Sequence, residues 1–266
     1  MKIDHIFNTG SSKEDSYLIK DNLFAVFDGF NSLNKFTDKD GTSGGLVAAT
    51  IAKDVFSRNE GSLKDLALEA NRKIREKMLE SEIDIKNKSS LWGTILASVR
   101  IKDDSFEWIQ LADCLILLIF KDNSHKLLVD DFDHDGDVLT IWKHLAEQKK
   151  EKIRDLISAP LVELRAKANE AYGVLNGEEA AVNFFKAGEE NLRNVKHILI
   201  FTDGLIIPKE DPKGKDDWKL FVDLFLRGGL ENVKNFVRDL QKNDPECWKY
   251  PRYKQHDDIS AISLTF

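Results

Sequence analysis

The stretch Leu23-Phe24-Ala25-Val26-Phe27-Asp28-Gly29 decides how the rest of the chain is read. Five apolar residues in succession leave no polar face, which predicts a strand buried on both sides. The run ends on a carboxylate followed by a glycine. The same arrangement recurs downstream, where His197-Ile198-Leu199-Ile200-Phe201-Thr202 runs into Asp203-Gly204. A carboxylate at the exit of a buried strand is held by the sheet, and the glycine after it lets backbone approach a ligand closely. One Asp-Gly is a common turn signature; two on matching strands form a pattern.

Outward from these two stretches, strands are expected at 2–8, 16–20 and 23–28, then helices at 43–57 and 63–80. Ser62 is placed as N-cap of the second helix, with Leu63, Leu66, Ala67, Ala70, Ile74 and Met78 as its apolar stripe. Four strands follow at 91–101, 106–112, 115–120 and 125–130, broken by the polar clusters Lys102-Asp103-Asp104 and Lys121-Asp122-Asn123. Helices are expected at 137–150, 151–157 and 178–185, a strand at 197–202, helices at 216–227 and 229–241, and a last strand over 259–266. Short meander spacing predicts antiparallel pairing. Runs of strands set apart from runs of helices predict an α+β sandwich rather than a parallel sheet. No linker or repeat divides the chain, so one domain over 1–266 is expected.

The 266 residues are 42% hydrophobic and 32% charged, enough to build a core and too apolar for disorder. The net charge of −7 argues against general nucleic-acid binding, which runs on positive charge. Cys114 and Cys247 have no CxxC partner, so neither a disulfide framework nor a structural zinc site is expected. The most apolar stretch, 115–120, is far short of the roughly 20 residues of a membrane helix. Met1-Lys2-Ile3-Asp4-His5 has no apolar h-region, so no targeting segment is expected. A cytoplasmic protein with no membrane contact is therefore expected.

The acidic set grows beyond the two Asp-Gly pairs. Glu14-Asp15 opens the second strand and Asp257-Asp258 precedes the last. Carboxylates gathered without Lys or Arg raise one another's pKa, and hard divalent cations with a preference for oxygen relieve that repulsion.

Seven segments in order carry a resemblance over the whole chain. They are Glu14-Asp15-Ser16-Tyr17, Leu23 through Gly29, Thr42-Ser43-Gly44-Gly45-Leu46-Val47-Ala48, Trp92-Gly93-Thr94-Ile95-Leu96-Ala97, Leu111-Ala112-Asp113-Cys114, Ile198 through Leu205, and Asp257-Asp258-Ile259-Ser260. Together they resemble the PP2C-type metal-dependent protein serine/threonine phosphatases. The stretch from Arg165 to Gly177 is similar to their prokaryotic branch. The resemblance implies a four-layer α-β-β-α sandwich of two antiparallel sheets. It implies two Mn²⁺ or Mg²⁺ ions, with Asp28 bridging them, the Gly29 carbonyl on one, and Asp203 and Asp257 on the other. Glu14 and Asp15 would orient water, and Asp113 would join a third, weaker ion. The implied activity is hydrolysis of phosphoserine and phosphothreonine esters by a water between the ions, with a phosphorylated protein as substrate and a serine/threonine kinase as counterpart.

The departures from the family pattern are specific. Gly10 stands where the family carries a phosphate-binding Arg, leaving Lys13 nearby as a point charge. Phe30-Asn31-Ser32 replaces the usual M/H-G-G, and Ala112 and Cys114 replace Gly and Ser. These changes also allow an alternative, a binding or regulatory module on the same fold with weak turnover. Asp131-Phe132-Asp133-His134-Asp135-Gly136 imitates the start of a calcium loop, but Trp142 stands where the bidentate Glu is required. An acidic turn ahead of a helix, with Asp137 near its start, is the simpler expectation. Among the six histidines, His256 is singled out by its place beside Asp257.

Overall fold

The computed structural model describes residues 1–130 and 134–266. Strands β1 (Lys2–Asn8), β2 (Ser16–Lys20) and β3 (Leu23–Phe30) come first, followed by helices α1 (Gly44–Phe56) and α2 (Leu63–Glu80). Then come β4 (Gly93–Ile101), β5 (Ser105–Gln110), β6 (Leu115–Phe120) and β7 (His125–Leu127). Helices α3 (Gly136–Glu147), α4 (Ile153–Leu156) and α5 (Ser158–Ala166) lead to β8 (Lys186–Asn191) and β9 (Val195–Phe201). The long helix α6 (Trp218–Lys242) and β10 (Ile259–Thr265) close the chain.

Two five-stranded antiparallel sheets result, ordered β1-β10-β9-β6-β7 and β2-β3-β4-β5-β8. They stack face to face. Helices α1 and α2 cover the second sheet and α6 covers the first, which makes the α+β, α-β-β-α sandwich expected from the sequence. Apolar side chains sort by strand parity. Leu115, Leu117 and Ile119 on β6 pack toward α6, while Ile116 and Leu118 fill the space between the sheets. Ser62 caps α2 by accepting from Asp65 N, and Asp65 returns the bond to the Ser62 backbone. Such a capping box is worth about 1 kcal/mol.

The differences from expectation are local. β8, Lys-Ala-Gly-Glu-Glu-Asn, has no apolar run because it is an edge strand with mostly exposed side chains. α5 was also not anticipated, since its apolar residues do not make a clear stripe and none of them is buried. Residues 179–184 form a 3-10 helix. The two helices expected at 216–227 and 229–241 are both present, as the two halves of α6 on either side of a kink at Gly228-Gly229, where Gly229 takes φ +69°.

A smaller apolar cluster joins Val138, Trp142 and Ala146 on α3 to Ile153, Ile157 and Cys247. Trp142 donates its indole N–H to the Cys247 carbonyl at 2.8 Å, so the twelfth position of the calcium-like loop is a packing residue. Asp131, Phe132 and Asp133 of that motif lie outside the described residues; Asp137 lies in the first turn of α3, as expected. Among the described residues no helix is long and apolar enough to cross a membrane.

Candidate metal centre

Strand alternation decides where the carboxylates go. Phe27 meets Phe56 of α1 edge-on at 5.5 Å, so Leu23, Ala25 and Phe27 face the helices. Phe24, Val26 and Asp28 therefore face the opposing sheet. On β9, Phe201 stacks on Phe221 of α6 at 5.1 Å, which turns Ile198, Ile200 and Thr202 inward. Asp28 and Asp203 thus leave their strands at the same end of the sandwich. Thr202 Oγ1 donates to Asp15 Oδ2 at 2.8 Å, bringing the start of β2 to the same place.

Asp258 holds this end together. Its side chain is 2% exposed and accepts from Gly10 N at 2.5 Å, Glu14 N at 2.6 Å and Asp15 N at 3.4 Å. Three backbone donors on one carboxylate fix the loop that carries Glu14 and Asp15. Two glycines allow the approach. A Cβ on Gly204 would lie 1.8 Å from the Asp258 carbonyl oxygen, and one on Gly10 would lie 2.4 Å from that of Asp257. Position 10 therefore has no room for a side chain of any kind.

Asp15, Asp28, Asp203 and Asp257 act on one another electrostatically. Burial, then the charges of Asp15, Asp203 and Asp257, hold the Asp28 carboxyl well above the usual range. Burial, then Asp257 and Asp113, do the same to Asp203. Asp15, 4% exposed, is pushed up to about 8 by burial and by Asp257 and Asp258, against the opposing hydrogen bonds of Thr202 and Ser260. Glu14 is raised by burial and partly restored by a hydrogen bond to Ser43. One ammonium enters this group. Lys254 Nζ lies 2.8 Å from Asp257 Oδ1. Burial alone would depress its pKa; Asp257, Asp28 and Asp203 together override burial and raise it.

The remaining expected residues are placed as follows. Asp113 is half-buried in the turn between β5 and β6 and acts on Asp203. Its neighbour Ala112 has φ +47°, a conformation that favours the glycine the family pattern has there. Lys13 is exposed, also at positive φ. The His256 ring bonds Gln241 Oε1 on α6 at 3.1 Å, so it is engaged with the helix and not with the carboxylates. It borders a cavity of about 380 Å³, lined also by Gly10, Lys234, Arg238 and Lys242, that none of the clustered carboxylates lines. Cys114 is fully buried, and burial raises its thiol pKa.

Lys254, the anchoring role of Asp258 and the Arg165 guanidinium 4.4 Å over the Phe30 ring were missed by sequence reasoning. Asp258 was visible as half of an acidic pair. Arg165 stands out in the sequence only as the start of the stretch that resembles the prokaryotic branch, and nothing in the sequence separates Lys254 from the other cations among 39.

Carboxylates in excess of the Lys254 ammonium and the Arg238 guanidinium, with no soft ligand among them, suit hard divalent cations. The residues fit Mn²⁺ or Mg²⁺ in chemistry. Among the described residues, however, no three His, Cys, Asp or Glu side chains converge into a ready coordination cage.

This architecture is the α-β-β-α fold of the bacterial PP2C-type serine/threonine phosphatases. The chain is similar to serine/threonine phosphatase Stp1 from Staphylococcus aureus, at 14% identity and a TM-score of 0.61 over 100% of this chain and 94% of that one. It is similar to the Mycobacterium tuberculosis serine/threonine phosphatase PstP/Ppp at 16% identity and a TM-score of 0.60, covering 100% and 98% of the two chains. The catalytic domain of PstP in complex with two manganese ions aligns at 14% identity and a TM-score of 0.59, over 98% of this chain and 96% of that one. No protein-family model matches the chain, and no curated protein matches it by sequence.

Proposed function

We propose that the protein is a metal-dependent phosphatase that hydrolyses phosphoserine and phosphothreonine esters of a phosphorylated protein. The carrying observation is that Asp28, Asp203 and Asp257, from three separate chain segments, lie near enough to act on one another's ionisation, on a fold shared with serine/threonine phosphatases. Asp28, Asp203, Asp257 and the Gly29 carbonyl would hold two Mn²⁺ or Mg²⁺ ions, with Asp113 able to join a third. Bound there, such ions lower the pKa of water and neutralise charge on phosphoryl oxygens.

The chain's own residues supply position. Asp258 fixes the Gly10–Asp15 loop, Thr202 orients the Asp15 carboxylate, and Ser43 orients Glu14. Asp15 and Glu14, both buried beside the group, would thereby orient water held within it. No side-chain nucleophile is required, in keeping with the buried, protonated Cys114. With His256 bonded to Gln241, solvent delivers the proton to the leaving alkoxide. Lys13, exposed beside Glu14, is the proposed contact for substrate phosphate.

The Lys254–Asp257 ion pair favours a second reading, a binding or regulatory module with weak turnover. Hydrolysis of a small aryl phosphate and of a phosphopeptide separates the two. The phosphatase reading expects turnover with Mn²⁺ or Mg²⁺, none with chelator, and none for Asp28→Asn. Wild type as inactive as the variant at saturating Mn²⁺, while still binding metal and phosphopeptide, establishes the module instead.

A further inference from the structure

Asp257 is held from several sides. Its carbonyl accepts from Arg238 Nη2 at 2.6 Å, its Oδ1 accepts from Asp258 N at 2.9 Å, and Gly10 packs against its backbone. It therefore keeps its place whatever charge approaches it. Lys254 is differently tethered. Its ammonium reaches the group on a four-carbon stem and bonds Asp257 Oδ1 at 2.8 Å. Its side chain is 25% exposed, which leaves a route to solvent. From that position its charge also acts on Asp28, Asp203 and Glu14.

We propose that Lys254 is a resident counter-ion of the acidic group: its ammonium sits on Asp257 where a divalent ion would bind, and must leave Asp257 before that carboxylate can take up an ion. The inference rests on the metal-centre reading given above. Lys254, together with the Arg238 guanidinium beside Asp257, offsets part of the repulsion among the clustered carboxylates, and Lys254 already occupies Asp257 Oδ1, one of the oxygens a divalent ion would use. Two like charges drawn to one carboxylate repel strongly at this separation, so the ammonium lowers affinity for the ion it precedes.

The test is direct Mn²⁺ binding to the full chain, by calorimetry and by the electron paramagnetic resonance of free Mn²⁺, at one fixed pH. Wild type, Lys254→Met and Lys254→Arg are compared, and each is also melted in chelator. The expected result is that Lys254→Met binds its weaker Mn²⁺ at least about tenfold more tightly than wild type. It also melts at lower temperature in chelator, with the difference removed by Mn²⁺, while Lys254→Arg retains weak binding. Unchanged or weakened Mn²⁺ affinity in Lys254→Met overturns the proposal, because the ion pair would then only brace the loop. Should Lys254→Met not fold in chelator, Lys254→Gln titrated from its Mn²⁺-loaded form is judged by the same affinity criterion. Wild type that binds no Mn²⁺ at all overturns the metal-centre reading itself, and this inference with it. Wild type that binds Mn²⁺ exactly as Lys254→Met does overturns this inference alone.

Discussion

Replacing Asp28 by Asn should stabilise the metal-free protein while removing its response to metal. Asn keeps the shape of the side chain and deletes one of the charges that burial and Asp15, Asp203 and Asp257 make unfavourable. Lys254 keeps Asp257 and Asp203 as partners, so little is lost on the attractive side. Relief of a poorly compensated buried charge is worth about 1–3 kcal/mol. A chain of 266 residues unfolds with an entropy of about 0.6 kcal/mol per degree, from about 2.1 cal/mol/K per residue. The midpoint in chelator should therefore rise by about 2–5 °C. Wild type at a Mn²⁺ concentration a hundred times its dissociation constant gains about 2.7 kcal/mol, or about 5 °C. Asp28→Asn should gain almost none of this. The assay is thermal unfolding of both proteins in chelator and in Mn²⁺. An Asp28→Asn protein less stable than wild type in chelator refutes the charge-cluster reasoning, and equal Mn²⁺ stabilisation of the two proteins removes Asp28 from the metal site.

Four further outcomes follow from the same geometry. In the unfolded chain Asp15 gives up its proton near pH 4, but in the folded chain it keeps it up to about pH 8. The folded state thus binds more protons between these limits, so metal-free stability falls as pH rises from about 4 to 8, on the order of a few kcal/mol; a flat profile in chelator would contradict the shift. Asp258→Ala leaves Gly10 N and Glu14 N without their acceptor and should cost about 2–3 kcal/mol, with faster amide exchange over residues 10–15; unaltered exchange there rules out the anchoring role. Ala112→Gly relaxes a residue at φ +47° and should raise the midpoint by about 1–2 °C, for roughly 0.5–1 kcal/mol, whereas a lower midpoint shows that the alanine methyl contributes packing. Lys13→Ala should raise KM for a phosphopeptide a few-fold with little change in kcat, and unchanged constants reject Lys13 as the phosphate contact.

The sequence carries the positions of the carboxylates well and their electrostatic company poorly, and the reason is the kind of information each needs. Leu23–Phe27 and Ile198–Phe201 are local signals: a continuous apolar run can only be buried on both faces, parity along β3 then turns Asp28 inward, and Asp203 is set just past the end of β9, in a 3-10 turn whose direction the strand pattern does not give. The breaks at Lys102-Asp103-Asp104 and Lys121-Asp122-Asn123 separate β4 from β5 and β6 from β7 for equally local reasons. β8 escapes because an edge strand needs no apolar face, and its identity as a strand comes from its register with β5. Gly10 shows the same limit within the site. From the sequence it is a missing cation; in the fold it is a contact surface for Asp257, and the space a side chain would need is already filled by backbone. The cation of this group arrives from Lys254 instead, on a loop joining α6 to β10, a position set by tertiary packing and by no periodicity. Lys254 thus stands on a carboxylate that the metal-centre reading assigns to a divalent ion, so ammonium and ion compete for the same oxygen, and Mn²⁺ titration of Lys254→Met against wild type measures that competition directly.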